Sequence, residues 1–211
     1  MAGGNLLRDS SHRRLNPLTG EWVLVSPHRM QRPWQGKREA LAAPAGLAYD
    51  PACYLCPGNL RANGTHNPDY RHTFVFDNDY PALKADAPTA REEDGLLIAE
   101  GEPGICRVLC FSPRHDLTLS GMAVSDIERV VDALVEETIT LGGRPDIASV
   151  QIFENRGELM GASNPHPHGQ VWATRHLPNE LEKETRRQDE YLLKFGRTLL
   201  VDYLEIGRAH V

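Results

Sequence analysis

The segment Ser163-Asn164-Pro165-His166-Pro167-His168-Gly169-Gln170 places two histidines and a glutamine at two-residue spacing, with a proline ahead of each histidine. Proline disfavours the α region for the residue before it and pushes that residue into extended geometry. In an extended chain residues two apart share a side, so His166, His168 and Gln170 are expected to line one face. Gly169 carries no side chain, and a bulky anion is expected to approach the backbone there. A row of imidazole, imidazole and amide beside open backbone suits chemistry on a phosphate. Neutral imidazole attacks phosphorus readily and leaves readily when protonated. A histidine can therefore divide one phosphate transfer into two displacements through a covalent intermediate. His168, between His166 and Gln170, is the expected nucleophile. Gln170 can donate to a phosphoryl oxygen as charge builds, and Ser163 and Asn164 can do the same.

A second constellation is Cys53-x-x-Cys56. This spacing fits a redox pair or a two-thiolate metal knuckle, and the histidine motif favours the metal: zinc takes four ligands in a tetrahedron, commonly cysteine and histidine. The other two ligands must come from distant sequence, with His166 and His115 as candidates. Four protein ligands leave no open position for water, so the site is expected to be structural and to hold the strand beside His168 in place. Cys106 and Cys110 sit in the apolar run from Ile105 to Phe111 and read as buried small hydrophobes.

The elements that must position these groups are legible in outline. Asn16-Pro17-Leu18-Thr19-Gly20 reads as a turn ahead of a strand at Trp22 to Val25. Residues 26–36 read as a basic loop, 37–51 as irregular chain and 81–95 as a connector. Strands are expected at 73–76, 105–111, 148–153 and 169–173. Ser125-Asp126-Ile127-Glu128 has the capping-box pattern, and Ile127, Val130, Val131, Leu134 and Val135 recur at helical spacing until Gly142-Gly143. A second helix is expected from Asn179, again with a capping-box glutamate at Glu182, through to Leu204. Strands interleaved with two helices predict an α+β fold with a mostly antiparallel sheet and flanking helices.

The chain of 211 residues has 40% apolar and 25% charged residues, ordinary for a soluble globular protein. Its formal net charge of -6 argues against a general affinity for nucleic acid. Residues 1–14 lack the apolar core of a signal peptide, no apolar run approaches membrane-spanning length, and a cytoplasmic protein without a disulfide framework is expected. Residues 205–211 end the chain in mid-pattern, and Ile206 to Val211 matches an in-frame translation of a sequencing adapter. The natural protein is expected to continue after Leu204, with 205–211 a foreign tail.

These residues resemble the histidine-triad superfamily and, within it, the galactose-1-phosphate uridylyltransferase family. The stretch Phe153 to Gly157 with Met160 to Gln170 is similar to that family's active-site signature. Asn16 to Gly20 with Val23 to Arg29 is similar to its opening, Cys53 to Gly58 to its zinc knuckle, and Phe76 to Ala82 to a nucleotide-contacting segment. The similarity runs from about Leu15 to Leu204, over an expected N-terminal domain of residues 1–204 in a truncated chain. The resemblance implies a histidine-triad-like fold and a ping-pong reaction. His168 would attack UDP-glucose and carry the uridylyl group to galactose 1-phosphate, with Gln170 holding the phosphate. Histidine-triad hydrolases usually carry a third histidine where Gln170 stands, so the glutamine points to transfer.

The same resemblance implies zinc on Cys53, Cys56, His115 and His166. It assigns nucleotide or phosphate contacts to Asn78, Asp79, Asn155 and Ser163, and a wall of the uracil pocket to Leu55. Arg29 and Arg32 would reach the partner's active site in a homodimer, although by themselves they read as a solvated basic loop. Glu184 would be one ligand of a second metal, iron or zinc, whose other ligands lie in a second domain absent from this chain; by itself it reads as a solvated helix charge. Two other readings are an ADP-sugar phosphorylase relative, in which His168 takes an adenylyl group, and a non-catalytic zinc-stabilised nucleotide-binding module. The net charge and Gln170 disfavour a histidine-triad protein that processes nucleic acid.

Overall fold

The computed structural model describes residues 7, 9–33, 46–157, 160–162 and 164–208. In chain order its strands are β1 (His12–Leu15), β2 (Trp22–Val25), β3 (Phe74–Asp77), β4 (Arg91–Asp94), β5 (Leu97–Glu100), β6 (Gly104–Cys110), β7 (Ser149–Phe153) and β8 (His168–Thr174). The helices are α1 (Val124–Gly142), α2 (Asn179–Phe195) and α3 (Leu199–Arg208). The chain divides into two compact units, Met1–Glu39 with Leu177–Val211, and Ala40–His176. The α+β class with antiparallel sheets is as expected.

The larger unit is built on a four-stranded antiparallel sheet in the order β3-β6-β8-β7. The two long central strands, β6 and β8, run Gly104 to Cys110 against Thr174 to His168. Alternation along them separates two faces. On one face Val108 and Cys110 pack with Phe74, Phe76 and the knuckle residues Cys53, Leu55 and Cys56. On the other, Leu109 and Phe111 meet Met122 and Val130, and Val171 and Ala173 meet Leu141. Helix α1 lies on this second face, carried by its apolar stripe and by Glu137, which is buried and paired with Arg107 of β6 over 2.7 Å.

The helix starts differ from the capping-box expectation. The residue before α1 is Ala123, which makes no side-chain cap; its carbonyl accepts from the amides of Asp126 and Ile127, so Ser125 lies inside the first turn. Asp126 pairs instead with Arg129 at 2.7 Å. Likewise Pro178 precedes α2 without a side-chain cap, and Glu182 N bonds to Pro178 O. A hairpin, β4 with β5, stands partly within the expected connector. Its first strand is wholly charged and its second, Leu97-Ile98-Ala99-Glu100, is an exposed apolar run, so neither shows alternation; Gly95, at φ +61°, makes the turn.

In the smaller unit β1 pairs with β2 across the expected turn, where Leu18 N bonds to Asn16 Oδ1 at 3.0 Å. Residues 27–31 of the expected basic loop form a 3-10 turn. The single helix expected from Asn179 to Leu204 is two: Gly196 adopts φ +66°, donates to Leu192 O and ends α2, and the chain re-enters helix at Leu199. Tyr191 of α2 then bonds Asp202 of α3 at 2.8 Å. Of the stretch expected to be irregular, residues 46–51 carry no helix or strand, and 37–45 lie outside the described residues.

Candidate active site and metal centre

Cys53 and Cys56 sit on a tight turn in which Cys56 N donates to Cys53 O over 3.2 Å. Two asparagine side chains staple it. Asn59 Nδ2 donates to Asp50 O and Cys53 O, and Asn67 Nδ2 donates to Tyr54 O and Cys56 O. Leu55 N points at Cys53 Sγ at 3.4 Å, a donor suited to a thiolate. His115 and His166 arrive from elsewhere in the unit, and the four ligand atoms lie within 4.8 Å of one another. Cys56 Sγ is 3.5 Å from His166 Nδ1 and 3.7 Å from His115 Nδ1. A tetrahedral zinc with its usual bond lengths sets ligand atoms about 3.4–3.8 Å apart, and these two separations fall in that range; the four residues could hold a metal ion.

The surroundings assign the tautomer of His166. Its Nε2 faces Ser112 O at 2.9 Å and the Tyr70 hydroxyl at 3.1 Å, while Tyr70 O–H donates to Leu55 O at 2.7 Å. A carbonyl can only accept, so the proton is on Nε2 and the Nδ1 lone pair faces the cluster. Burial pushes the Cys56 thiol up to about 11 and the His166 imidazole down to about 4. Both changes express the cost of charge in a dry pocket. A bound divalent cation reverses that cost for the thiols and is served directly by a neutral imidazole.

His168 opens strand β8, opposite Cys110. Its Nδ1 is 2.7 Å from His166 O, which by the same logic places the proton on Nδ1 and leaves the Nε2 lone pair free. Gln170, two residues on, is flanked by Val108 of β6 and Phe153 of β7. Trp172 Nε1 donates to Gln170 Oε1 over 3.0 Å, which makes the amide NH2 the donor end. Leu55, Asn78, Asp79, His168 and Gln170 share one cavity of about 460 Å³ with Phe76 and Tyr80. His168 also borders a second cavity of about 350 Å³, where Asn155, Arg156 and Pro167 stand. The arrangement offers an imidazole with a free ring nitrogen between two recesses, a fixed amide donor beside it and a partly apolar chamber large enough for a nucleoside.

Several expectations change in the structure. The face of alternation begins at His168 and continues through Gln170 and Trp172; His166 lies in a bend before the strand, with its ring turned into the Cys/His cluster. Gly169 is not an anion seat. It is buried on the helix-covered face, where an added Cβ would lie 2.9 Å from Phe111 Cζ and 3.2 Å from Phe153 O. Asn164 does not address a phosphate either; it is buried, with Nδ2 at 3.4 Å from Cys53 Sγ and Oδ1 accepting His166 N at 2.9 Å. Ser163 lies outside the described residues. Arg29 and Arg32 are exposed at the 3-10 turn of the smaller unit, and Glu184 is half-buried on α2 of that unit. Among the described residues Glu184 joins no cluster of metal-ligating side chains. Tyr70 and Trp172 are parts of the site that residue patterns left unread. Trp172 continues the alternation of Gln170, a usable signal; nothing local marks Tyr70.

A sequence profile for the galactose-1-phosphate uridyl transferase N-terminal domain matches residues 6–178. The chain belongs to the galactose-1-phosphate uridylyltransferase family. It is 50% identical over 195 residues to the galactose-1-phosphate uridylyltransferase of Haemophilus influenzae, covering 92% of this chain and 55% of that protein. With the rat protein of the same name it shares 48% identity over 196 residues, 92% of this chain and 51% of the relative. Among solved structures, a uridylyltransferase superposes with a TM-score of 0.65 at 25% identity, over 92% of this chain and 55% of the other. An ADP-glucose phosphorylase from Arabidopsis thaliana with bound ADP-glucose superposes at 0.64 and 24% identity, over 89% of this chain and 56% of the other, and shares the fold. The chain thus spans about half the length of the uridylyltransferase relatives it matches. Within the family's N-terminal domain, the Cys/His cluster, His168 and the cavity all fall in the larger unit, inside the matched span.

Proposed function

We propose that this chain carries the uridylyl-accepting centre of a galactose-1-phosphate uridylyltransferase. The observation that supports this most is the hydrogen bond from His168 Nδ1 to His166 O, beside the fixed amide of Gln170. Nε2 of His168 attacks the α-phosphorus of UDP-glucose, the bond from that phosphorus to the bridging oxygen breaks, and glucose 1-phosphate leaves with the electron pair. The Nδ1 proton stays on the ring, its positive charge spread toward His166 O. An oxygen of galactose 1-phosphate then attacks the same phosphorus, UDP-galactose forms, and the imidazole returns to its neutral state. Gln170 NH2 donates to the phosphoryl oxygens as charge gathers there.

In this reading Leu55 walls the uracil, Asn78 and Asp79 hold the nucleoside, and Asn155 with Ser163 holds phosphate. Zinc is the ion on Cys53, Cys56, His115 and His166; when bound it orders the knuckle and the bend before His168. The free, buried cysteines suit a cytoplasmic protein, and among the described residues no helix is long and apolar enough to cross a membrane. In this reading residues 1–204 are the N-terminal domain of a longer protein and 205–211 are foreign to it. There Arg29 and Arg32 serve the partner's site in a homodimer, and Glu184 joins ligands from the C-terminal half around a second iron or zinc.

The deciding experiment is intact-mass analysis of the full-length protein after incubation with UDP-glucose. A gain of one uridylyl group, lost in His168→Ala, is expected. No adduct at saturating substrate refutes the double displacement, and an adenylyl adduct with ADP-glucose in place of the uridylyl one assigns the phosphorylase reading. Sequencing of the source locus tests the tail: a gene that encodes residues 205–211 and then stops would refute it.

A further inference from the structure

Arg61 lies just after the knuckle and is rooted in a closed turn. Leu60 and His66 form an antiparallel bridge, Arg61 N donates to Thr65 O at 2.8 Å, and Gly64 N donates to Arg61 O at 3.0 Å. Its side chain runs inward and is only 12% exposed. Nη2 donates to Thr65 Oγ1 at 2.8 Å, and the guanidinium carbon stands 4.2 Å over the centre of the Phe76 ring. Nη1 faces Asp79 Oδ1 at 3.7 Å, and the Asp79 side chain is 8% exposed. Arg61 Nε, Nη1 and Asp79 Oδ1 are buried without a hydrogen bond. Unmatched buried donors are uncommon in folded proteins and call for a reason.

Phe76 and Asp79 both line the larger cavity, whereas Arg61 does not. We propose that Arg61 is a positioning residue for that cavity, holding the Asp79 carboxylate and the Phe76 ring from behind. With Oδ1 turned into the protein against the guanidinium, Oδ2 is the oxygen presented to a ligand. A carboxylate oxygen so placed is an acceptor only. The group it would accept from is a sugar hydroxyl of a nucleotide. The planar guanidinium suits a place between an aromatic face and a carboxylate in a way that a lysine ammonium does not. The inference rests on the reading of this cavity as a nucleoside site.

The test is a double-mutant cycle on UMP binding to the 211-residue chain by calorimetry, with zinc content and thermal midpoint measured on every variant. Arg61→Met is expected to weaken UMP binding by about tenfold with zinc retained. In the Asp79→Asn background the same change is expected to alter affinity by less than about twofold, because the carboxylate it positions is gone. Arg61→Lys is expected to fall between wild type and Arg61→Met. Wild-type affinity in Arg61→Met with full zinc, or equal losses in both backgrounds, overturns the inference. Should Arg61→Met lose zinc, Arg61→Lys takes its place in the cycle, and unchanged affinity or equal losses there overturn it. A wild-type chain that does not bind UMP defeats the nucleotide reading and this inference together. A wild-type chain that binds UMP while the variants match it defeats the inference alone.

Discussion

The Nδ1–H of His168 donates to the main-chain oxygen of His166 over 2.7 Å, so the residue that offers Nδ1 to the Cys/His cluster also holds the ring proton of the proposed nucleophile. The two imidazoles do not act side by side on a ligand. One ring is fixed by the Cys/His cluster, Ser112 and Tyr70, and its backbone orients the other. Cys53→Ser and His166→Ala are therefore expected to reduce bound zinc, read by atomic absorption. They should also slow uridylylation of the intact His168 by about 10–100-fold. Full zinc in both variants would place the metal elsewhere.

The bond from Trp172 to Gln170 Oε1 separates orientation of the amide from its presence. Gln170→Ala removes the donor and is expected to slow adduct formation by about 10²–10³-fold. Trp172→Phe keeps a ring near Phe153, 5.3 Å away in the native pair, and frees the amide to rotate. A smaller loss, roughly threefold to tenfold, is expected, measured by quenched-flow mass analysis. Equal losses in the two variants would show that Trp172 does more than orient Gln170.

Gly169→Ala should act on stability before chemistry. The new methyl meets Phe111 Cζ at 2.9 Å and Phe153 O at 3.2 Å, a strain of about 1–3 kcal/mol. Addition of Phe111→Leu is expected to recover part of the loss in a urea titration. A Gly169→Ala protein as stable as wild type would show that the strands relax apart at no cost.

Glu137 reaches from α1 to Arg107, itself about a quarter exposed, and Arg107 also bonds Asp77 at 3.1 Å. Removing the carboxylate strands a half-buried guanidinium. Because Asp77 and solvent remain to it, Glu137→Ala is expected to cost about 1–3 kcal/mol, less than breaking a fully buried pair. Arg107→Met/Glu137→Leu should restore most of that stability, and thermal melts of both proteins check it.

Glu102 accepts from the amides of Arg175 and His176 at 2.7 and 3.0 Å and bonds the His176 ring. Partial burial works against its charge, but these bonds outweigh it and hold the carboxyl below its usual range. A depressed folded pKa adds stability above the unfolded value, near 4.5, and loses it as pH falls through the folded value. Glu102→Gln should therefore lower the thermal midpoint at neutral pH and flatten its decline below pH 4.5. A decline as steep as in wild type would remove Glu102 from the acid response.

Sequence alone determined the parts whose meaning is local. The strand at Trp22 to Val25 and the central strands follow from short β-rich or apolar runs, α1 from its apolar period, and the alternating histidines and the two-cysteine knuckle from spacing within a few residues. The resemblance carried by those residues reached the family. Tertiary structure decided what depends on distant packing. Cys56 and His166 are 110 positions apart, and only the fold brings the ring against the thiol and turns it away from the face that His168 and Gln170 share. Local signals failed where backbone partners replaced side-chain caps, at Ala123 and Pro178, and where exposed strands without alternation pair across a turn, as β4 and β5 do across Gly95. Gly169 shows the difference most directly: its lack of a side chain is plain in the sequence, but the side from which the space is needed, Phe111 rather than an anion, is settled by the pairing of β8 between β6 and β7.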